Sequence, residues 1–498
     1  MLLLLTSYYL IKPLRSSYLY REFDPETLRY FFLVTPVVSL LVTRVFNWFY
    51  GRLPKFFLVC ATYLVIIAFK VFFTFALPLS GKLTIPYAAK GMILFFYFWN
   101  TVYFLLAISI LWGCVSTIFN SKAAERVFAF IAFGSMAGAL VGSKLSEYLA
   151  ASAYKGQTLL VSAFTMGLTL VCLALAIRHT PDYSDAPPAP KADLQGKSRQ
   201  HTLAQDLRNL WQRHYIRCIG IMVFALAFMS TTVEFRSQIS IDHKLAEQAY
   251  LKEFAPLNDW LCKQQSCNGG VAAGAFERVL TLRREPQEQR QAVLGKWLKA
   301  NAAPFEAEQM SKAYEGYQET LDGLTHGYLA SINFWTNLFG VTILLLVARP
   351  LFRYLGLKQV LIQLPLVFMV VGALLFFPID LSIMGIILII TGTLNYSLNK
   401  TGKELLYTQA DDEARFRFKP LIDGPGMRLG DVSVAILSIL CLDLLHLGDG
   451  LATPILLAVG LLVTLWWFWS SWQVGNEYKE IVKQREAEAA SQDSVQPG

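Results

Sequence analysis

Long apolar stretches recur along the 498-residue chain at 31–49, 56–78, 92–119, 127–150, 158–177, 215–233, 328–348, 359–378, 380–398, 432–446 and 451–472. An α-helix rises about 1.5 Å per residue, so about 20 mostly apolar residues cross a hydrocarbon core of ~30 Å. Nearly all the stretches come close to that length, and the pattern predicts eleven membrane spans. The opening run, MLLLLTSYYLI, is shorter and is followed by Pro13. It reads as a twelfth span, either short or beginning upstream of Met1.

Two polar interruptions divide the series. Residues 179–213 are polar and Pro/Ala-rich, which predicts a flexible tether ending in a short amphipathic helix at 203–213. The tether separates a six-helix half at 1–178 from a second half that begins with a helix at 214–239 and resumes at 327–472, before a tail at 473–498. The fold class expected is therefore all-α and integral to the membrane. Twelve helices in two six-helix halves joined by a central loop is the layout of the major facilitator fold, whose substrate site lies between the halves near the midplane. Residues 240–326 form the second interruption. The stretches 244–261, 276–300 and 305–324 have helical periodicity, so a small helical cap is expected. Gating, docking of a protein partner and a merely tolerated insertion all stand open as its role.

Composition fits a membrane protein: 54% of residues are hydrophobic and 16% charged. The net charge of +8 does not point to nucleic acid, because the basic residues sit in alternate connections. Twenty-one of them, including Arg52, Lys55, Lys122, Arg126, Arg178, Lys358, Lys419 and Lys479, fall on one side, against six on the other: Arg15, Arg21, Arg29, Lys82, Lys90 and Lys155. By the positive-inside rule both termini and the central link are cytoplasmic and the 240–326 segment is outside. The opening run lacks the charged leader and cleavage site of a signal peptide. Cys60, Cys114, Cys172, Cys218 and Cys441 lie in or near apolar spans, where a thiol behaves as a small hydrophobe. Cys262 and Cys267 are a pair in a soluble segment, and in an oxidising exterior they are expected to form a disulfide. A free pair of thiols is the alternative. A zinc site is a poor fit without a second pair of Cys or His nearby.

No GxxxxGK[ST] loop, HExxH or GxSxG occurs, and the six histidines are scattered. These absences argue against an enzyme, a metal or cofactor site, and an ATP-driven pump of the phosphate-loop kind. An exchange or an ion gradient is left to drive transport.

Ionisable residues in spans cost several kcal/mol and commonly mark a substrate or proton path. Lys12 and Arg15 lie three apart around Pro13. Glu234 and Arg236 end a long apolar run. Lys400, with Lys403 and Glu404, follows the tenth span. Arg428 and Asp431, with Asp423, open the eleventh. Cations facing a cavity suit a small anionic substrate, which arginine grips in bidentate fashion. Interfacial snorkelling is the plainer account, and Lys403 with Glu404 also reads as a structural cytoplasmic pair. Asn100, Tyr103, Asn395 and Tyr396 occupy matching places in the two halves, as cavity-lining groups that stack a planar ligand or as helix–helix hydrogen bonds. Small residues at 134, 138 and 142 mark a close-packing helix face.

Taken together, YYLIKPLRSSYL, ERVFAFIAFGSMAGALVG, TTVEFRSQ and GKELLYTQADDEARFRFKPLIDGPGMRLGD resemble the ATP:ADP antiporter family, the nucleotide exchangers of plastids and intracellular bacteria and their bacterial relatives. The resemblance covers the spans but not 240–326. It implies a twelve-span, major-facilitator-like bundle in a bacterial inner membrane that binds and exchanges nucleotides. Where those exchangers have a lysine at the end of the first span, this chain has Arg15, and their span-seven glutamate is matched by Glu234. Their acidic residue at the end of span four falls on Thr117, and their lysine at the start of span eleven falls on Asp431. With two of four charges changed, the expectation is a monomeric antiporter for a nucleotide or another anion. A permease for a metal-chelate, peptide-like or sugar-acid compound, or a non-transporting protein that docks a partner on its cap, are the alternatives.

Overall fold

The computed structural model describes residues 1–50, 55–80, 87–118, 121–152, 154–178, 203–264, 267, 270–285, 287–301, 304–410 and 418–493. The tether at 179–202 lies outside the described residues. No strand occurs among them. In lipid every backbone N–H and C=O must be satisfied within the chain, and a helix does this without a neighbour.

The first six long helices are α1 (Leu2–Glu22), α2 (Leu28–Tyr50), α3 (Lys55–Ser80), α4 (Ala88–Ile118), α5 (Ser121–Ala151) and α6 (Thr158–Arg178). A short amphipathic α7 (Leu203–Gln212) follows, where the sequence predicts one, then α8 (His214–Glu253). The cap adds α9 (Ala255–Gln264), α10 (Ala273–Thr281) and α11 (Gln287–Ala300). The chain returns through α12 (Ala307–Thr342), which continues by a π-helical turn at Ile343–Val347 into Ala348–Tyr354. Next come α13 (Gly356–Leu374) and α14 (Leu381–Leu394), the latter extended by a π turn at Asn395–Asn399 and a segment at Lys400–Thr408. The helix α15 (Met427–Ile439) lies between π turns at Ile422–Gly426 and Leu440–Leu444, and α16 (Asp449–Asp493) ends the described chain. Among the described residues eight helices are long and apolar enough to cross a membrane.

Two expectations change. Pro13 does not end the first span: α1 runs through it for 21 residues, about 30 Å at 1.5 Å per residue. The insertion also does not begin and end where hydropathy falls, because α8 and α12 carry the seventh and eighth spans unbroken into the cap. Backbone bonding continues a helix wherever the sequence lacks a breaker, whatever the polarity of its side chains.

The chain divides into two compact units, one of Met1–Leu28, Val37–Pro190 and Gln238–Asn337, the other of Arg29–Pro36, Lys191–Ser237 and Leu338–Gly498. In the first, α1 packs against α4, α5 and α6. Its approach to α5 is backbone on backbone. A Cβ on Gly138 would stand 2.1 Å from the Leu2 carbonyl oxygen, and one on Gly142 would stand 2.6 Å from that of Thr6. The Thr6 hydroxyl donates to the Gly138 carbonyl at 3.1 Å, and Ser146, one turn beyond Gly142, donates to Leu10 O at 3.0 Å. Small residues four apart on α5 thus form the groove in which α1 lies.

The cap belongs to this unit and is fastened by three arginines. Arg283 is buried and grips Asp242 of α8 with bonds of 3.0 and 2.8 Å, while its other terminal nitrogen donates to Tyr317 of α12 at 3.1 Å. Arg290 donates to Glu22 at the end of α1 at 2.6 Å, with both side chains more than nine-tenths buried. Burial opposes the Arg290 charge, but Tyr314 and Glu22 more than offset it and hold the guanidinium above its ordinary pKa. Arg284 meets Asp24 at 2.6 Å from a largely exposed position. Cys262 and Cys267 are joined by a disulfide, as expected.

In the second unit α13 packs along α16. Met229 of α8 is seated against glycines on both: a Cβ on Gly460 would lie 2.8 Å from its Sδ, and one on Gly372 would lie 3.6 Å from its Cε. The start of α2 also falls here, with Arg29 and the Tyr30 hydroxyl donating to Asp443 at 2.7 and 2.6 Å.

Two stability predictions follow from these contacts. Gly138→Ala drives a methyl into the α1 backbone and is expected to cost about 1–3 kcal/mol or more, as overpacking does. Gly167→Ala, with nothing within 4 Å, leaves the melting temperature of the purified protein unchanged. Arg290→Ala strands a buried carboxylate and is expected to cost about 3–5 kcal/mol, whereas Glu22→Gln with Arg290→Met recovers much of it. Equal melting temperatures for the single and double variants would contradict this account.

Candidate functional site

The first unit gathers four of the expected residues around α1 and α4. Lys12 is half-buried; its Nζ lies 5.3 Å from the centre of the Tyr9 ring and donates to Asn333 Oδ1 of α12 at 2.9 Å. Arg15 turns instead to α4. It donates to Thr101 at 3.1 Å, and its guanidinium sits 4.7 Å from the centre of the Tyr97 ring. The three-residue spacing places both cations on one side of α1, but they reach different neighbours. Each donates to a neutral side chain and lies over an aromatic ring, an attractive contact for a cation.

Asn100 and Tyr103 occupy the next turns of α4. Asn100 is fully buried, and neither its amide nitrogen nor its amide oxygen has a hydrogen-bond partner among the described residues. Tyr103 is buried and stacked on Trp99 at 4.6 Å between ring centres. Its hydroxyl lies 3.4 Å from the amine of Lys70. Lys70 escaped the sequence reading, although the signal was available: beyond Lys55 it is the lone Lys, Arg, Asp or Glu in the apolar run of α3. Thr101 and Asn333 were also missed, because they lack the matching places in the two halves that marked Asn100 and Asn395, and the sequence does not say which polar residue meets a cation.

The second unit holds the other seven. Asp431 of α15 accepts from the Thr231 hydroxyl of α8 at 2.7 Å and from Arg428 at 3.0 Å. The two helices approach closely at Gly430, where a Cβ would lie 2.7 Å from the Phe224 carbonyl oxygen. Arg428 is thereby neutralised within its own helix. Glu234 is exposed one turn along α8 from Thr231, within electrostatic reach of the exposed Tyr396, and Arg236 is half-buried. Asn395 accepts from Asn399 at 3.3 Å inside the π turn they delimit, and Lys400 is exposed. Such turns tend to mark functional positions. Lys403 and Glu404 do not pair with each other: Lys403 bonds Asp423 at 2.9 Å and Glu404 bonds Lys419, so both tie α14 to the approach to α15. The side chain of Thr117 lies outside the described residues.

No family model matches the chain. No curated protein sequence matches it either. Solved structures do. The crystal structure of a mutant of the nucleoside transporter NupG is similar over 95% of this chain and 98% of its own, with a TM-score of 0.50 and 13% identity. The crystal structure of unmutated NupG covers 96% and 98%, with a TM-score of 0.47 and 12% identity. The fold is thus the all-α, major-facilitator-type bundle of a multi-pass membrane protein.

Proposed function

We propose that the chain is a secondary transporter that moves a nucleoside-bearing anion, a nucleotide or a close analogue, by alternating access. The observation that carries this reading is the pair of cations on α1. Lys12 and Arg15 stand over Tyr9 and Tyr97, and they donate to the neutral side chains of Asn333 and Thr101. Cations on aromatic platforms in a transporter bundle suit a cargo with both a planar group and a negative charge. The fold held in common with NupG, itself a nucleoside transporter, supports the planar part.

Asp431 and its bond to Arg428 argue against strict ATP/ADP exchange. A position that is cationic in the exchangers is here part of a neutral pair, which suits a cargo of lower charge. The proposed orientation puts both termini in the cytoplasm and the cap outside a bacterial inner membrane. The disulfide in the cap supports that side as the oxidising one.

The test is counterflow in proteoliposomes loaded with unlabelled AMP, ADP or uridine and given the labelled compound outside. Saturable uptake of at least one is expected. Arg15→Ala is expected to weaken uptake of a nucleotide at least tenfold, from the ~1.5–3 kcal/mol of a hydrogen bond to a charged group. Uptake of uridine is expected to suffer less. No uptake of any of the three removes the proposed cargo.

A further inference from the structure

Lys70 lies midway along α3, and its side chain has no solvent-exposed surface. Among the described residues no carboxylate pairs with it. Its amine has three neighbours, one from each of three other helices. It donates to Ser7 Oγ of α1 at 2.7 Å and to Ser162 Oγ of α6 at 2.6 Å, and Tyr103 OH of α4 lies 3.4 Å away, with the centre of that ring at 4.8 Å.

The proton accounting at this cluster is unusual. Each serine has one hydroxyl proton, and each points it at the other's backbone: Ser7 donates to the Ser162 carbonyl at 2.8 Å and Ser162 donates to the Ser7 carbonyl at 2.7 Å. The two oxygens, 2.9 Å apart, are therefore left as acceptors for Lys70. Two N–H groups of the amine are spoken for, and the third position faces Tyr103. A phenol hydroxyl both donates and accepts. With three protons on nitrogen, the third N–H points at the Tyr103 oxygen and ring face. With two, the Tyr103 hydroxyl turns and donates to the nitrogen lone pair. Both states satisfy the amine.

The other groups in reach do not upset this balance. From α4 there is Tyr103 itself. From α1, Tyr8 and Arg15 act on Tyr103 electrostatically. Among the described residues α6 brings the neutral Ser162 to the amine, and on α3 the Tyr63 hydroxyl donates to the Ala107 carbonyl at 2.9 Å. An ionisable group inside the bilayer marks a path for substrate or protons. This one is fully buried and has a switchable partner.

We propose that Lys70 is a proton-exchange site, its amine losing and regaining one proton during the working cycle with the Tyr103 hydroxyl as the switching partner. The proton leaves to water admitted when α1 and α6 part, the Tyr103 hydroxyl turns from acceptor to donor, and reloading reverses both. No other bond is made or broken. The inference adds ion coupling to the transport reading above and rests on that reading only for the second of two measurements.

In the first, the melting temperature of purified full-length protein is followed from pH 6 to pH 10 for wild type and Lys70→Met. A one-proton difference changes the unfolding equilibrium up to tenfold per pH unit, so the gap between the two is expected to vary with pH. A constant gap overturns the proposal. If Lys70→Met does not fold, Tyr103→Phe, which removes the switching hydroxyl, is compared in the same way and with the same criterion. In the second, proteoliposomes enclosing a pH-sensitive dye are given labelled ADP or uridine. Proton movement is expected to accompany uptake by wild type and to vanish in Lys70→Gln, while exchange of like for like persists. Uptake by wild type without proton movement overturns the proposal. Absence of any uptake counts against the cargo reading alone and leaves the first measurement to decide.

Discussion

The backbone contact between α1 and α5 sets the geometry of the first unit. Without side chains at Gly138 and Gly142, α1 comes close enough for the Thr6 hydroxyl to reach the carbonyl of Gly138. In lipid there is little hydrophobic drive to bring helices together, so close packing and interhelical hydrogen bonds must do it. Once α1 is seated, the rest of its polar side chains have fixed neighbours. Ser7 meets Ser162 and Lys70, Lys12 meets Asn333, Arg15 meets Thr101, and Glu22 meets Arg290 of the cap. A displacement of α1 by the width of a methyl group would disturb each of these.

Charge is handled in two ways. Around Lys12, Arg15 and Lys70 the first unit places neutral oxygens and aromatic faces. The second unit pairs its charges with one another, as in Arg428 with Asp431, Lys403 with Asp423 and Arg29 with Asp443. Its departures from regular helix are at the π turns, where a bonding register slips by one residue and redirects the side chains that follow.

The cap is held to the first unit as an integral part of it. Its two flanking helices are continuous with spans, and its arginines reach acids on α1 and α8 that are themselves buried. A buried ion pair is weak evidence of net stability, but removing one partner is costly. That makes the cap a poor candidate for a dispensable insertion, the plainest of the readings its sequence allowed.

Hydrophobic length settled the fold class before any coordinates, because a bilayer admits few architectures and leaves a periodic record in the sequence. The small-residue face at 134, 138 and 142 and the pairing of Cys262 with Cys267 were legible for the same reason: each depends on local spacing and residue type. Partnership was not legible. Nothing in the order of residues says that Lys12 and Arg15, three apart, turn to different helices, or that Asp431 is occupied by Arg428 and Thr231. Lys70 stood plainly in an apolar run, yet its meaning lay in Ser7, Ser162 and Tyr103, which are 63, 92 and 33 residues away. Burial and hydrogen bonding are properties of neighbours in space, so only the packed chain decides which polar residue is a strut and which is left able to act.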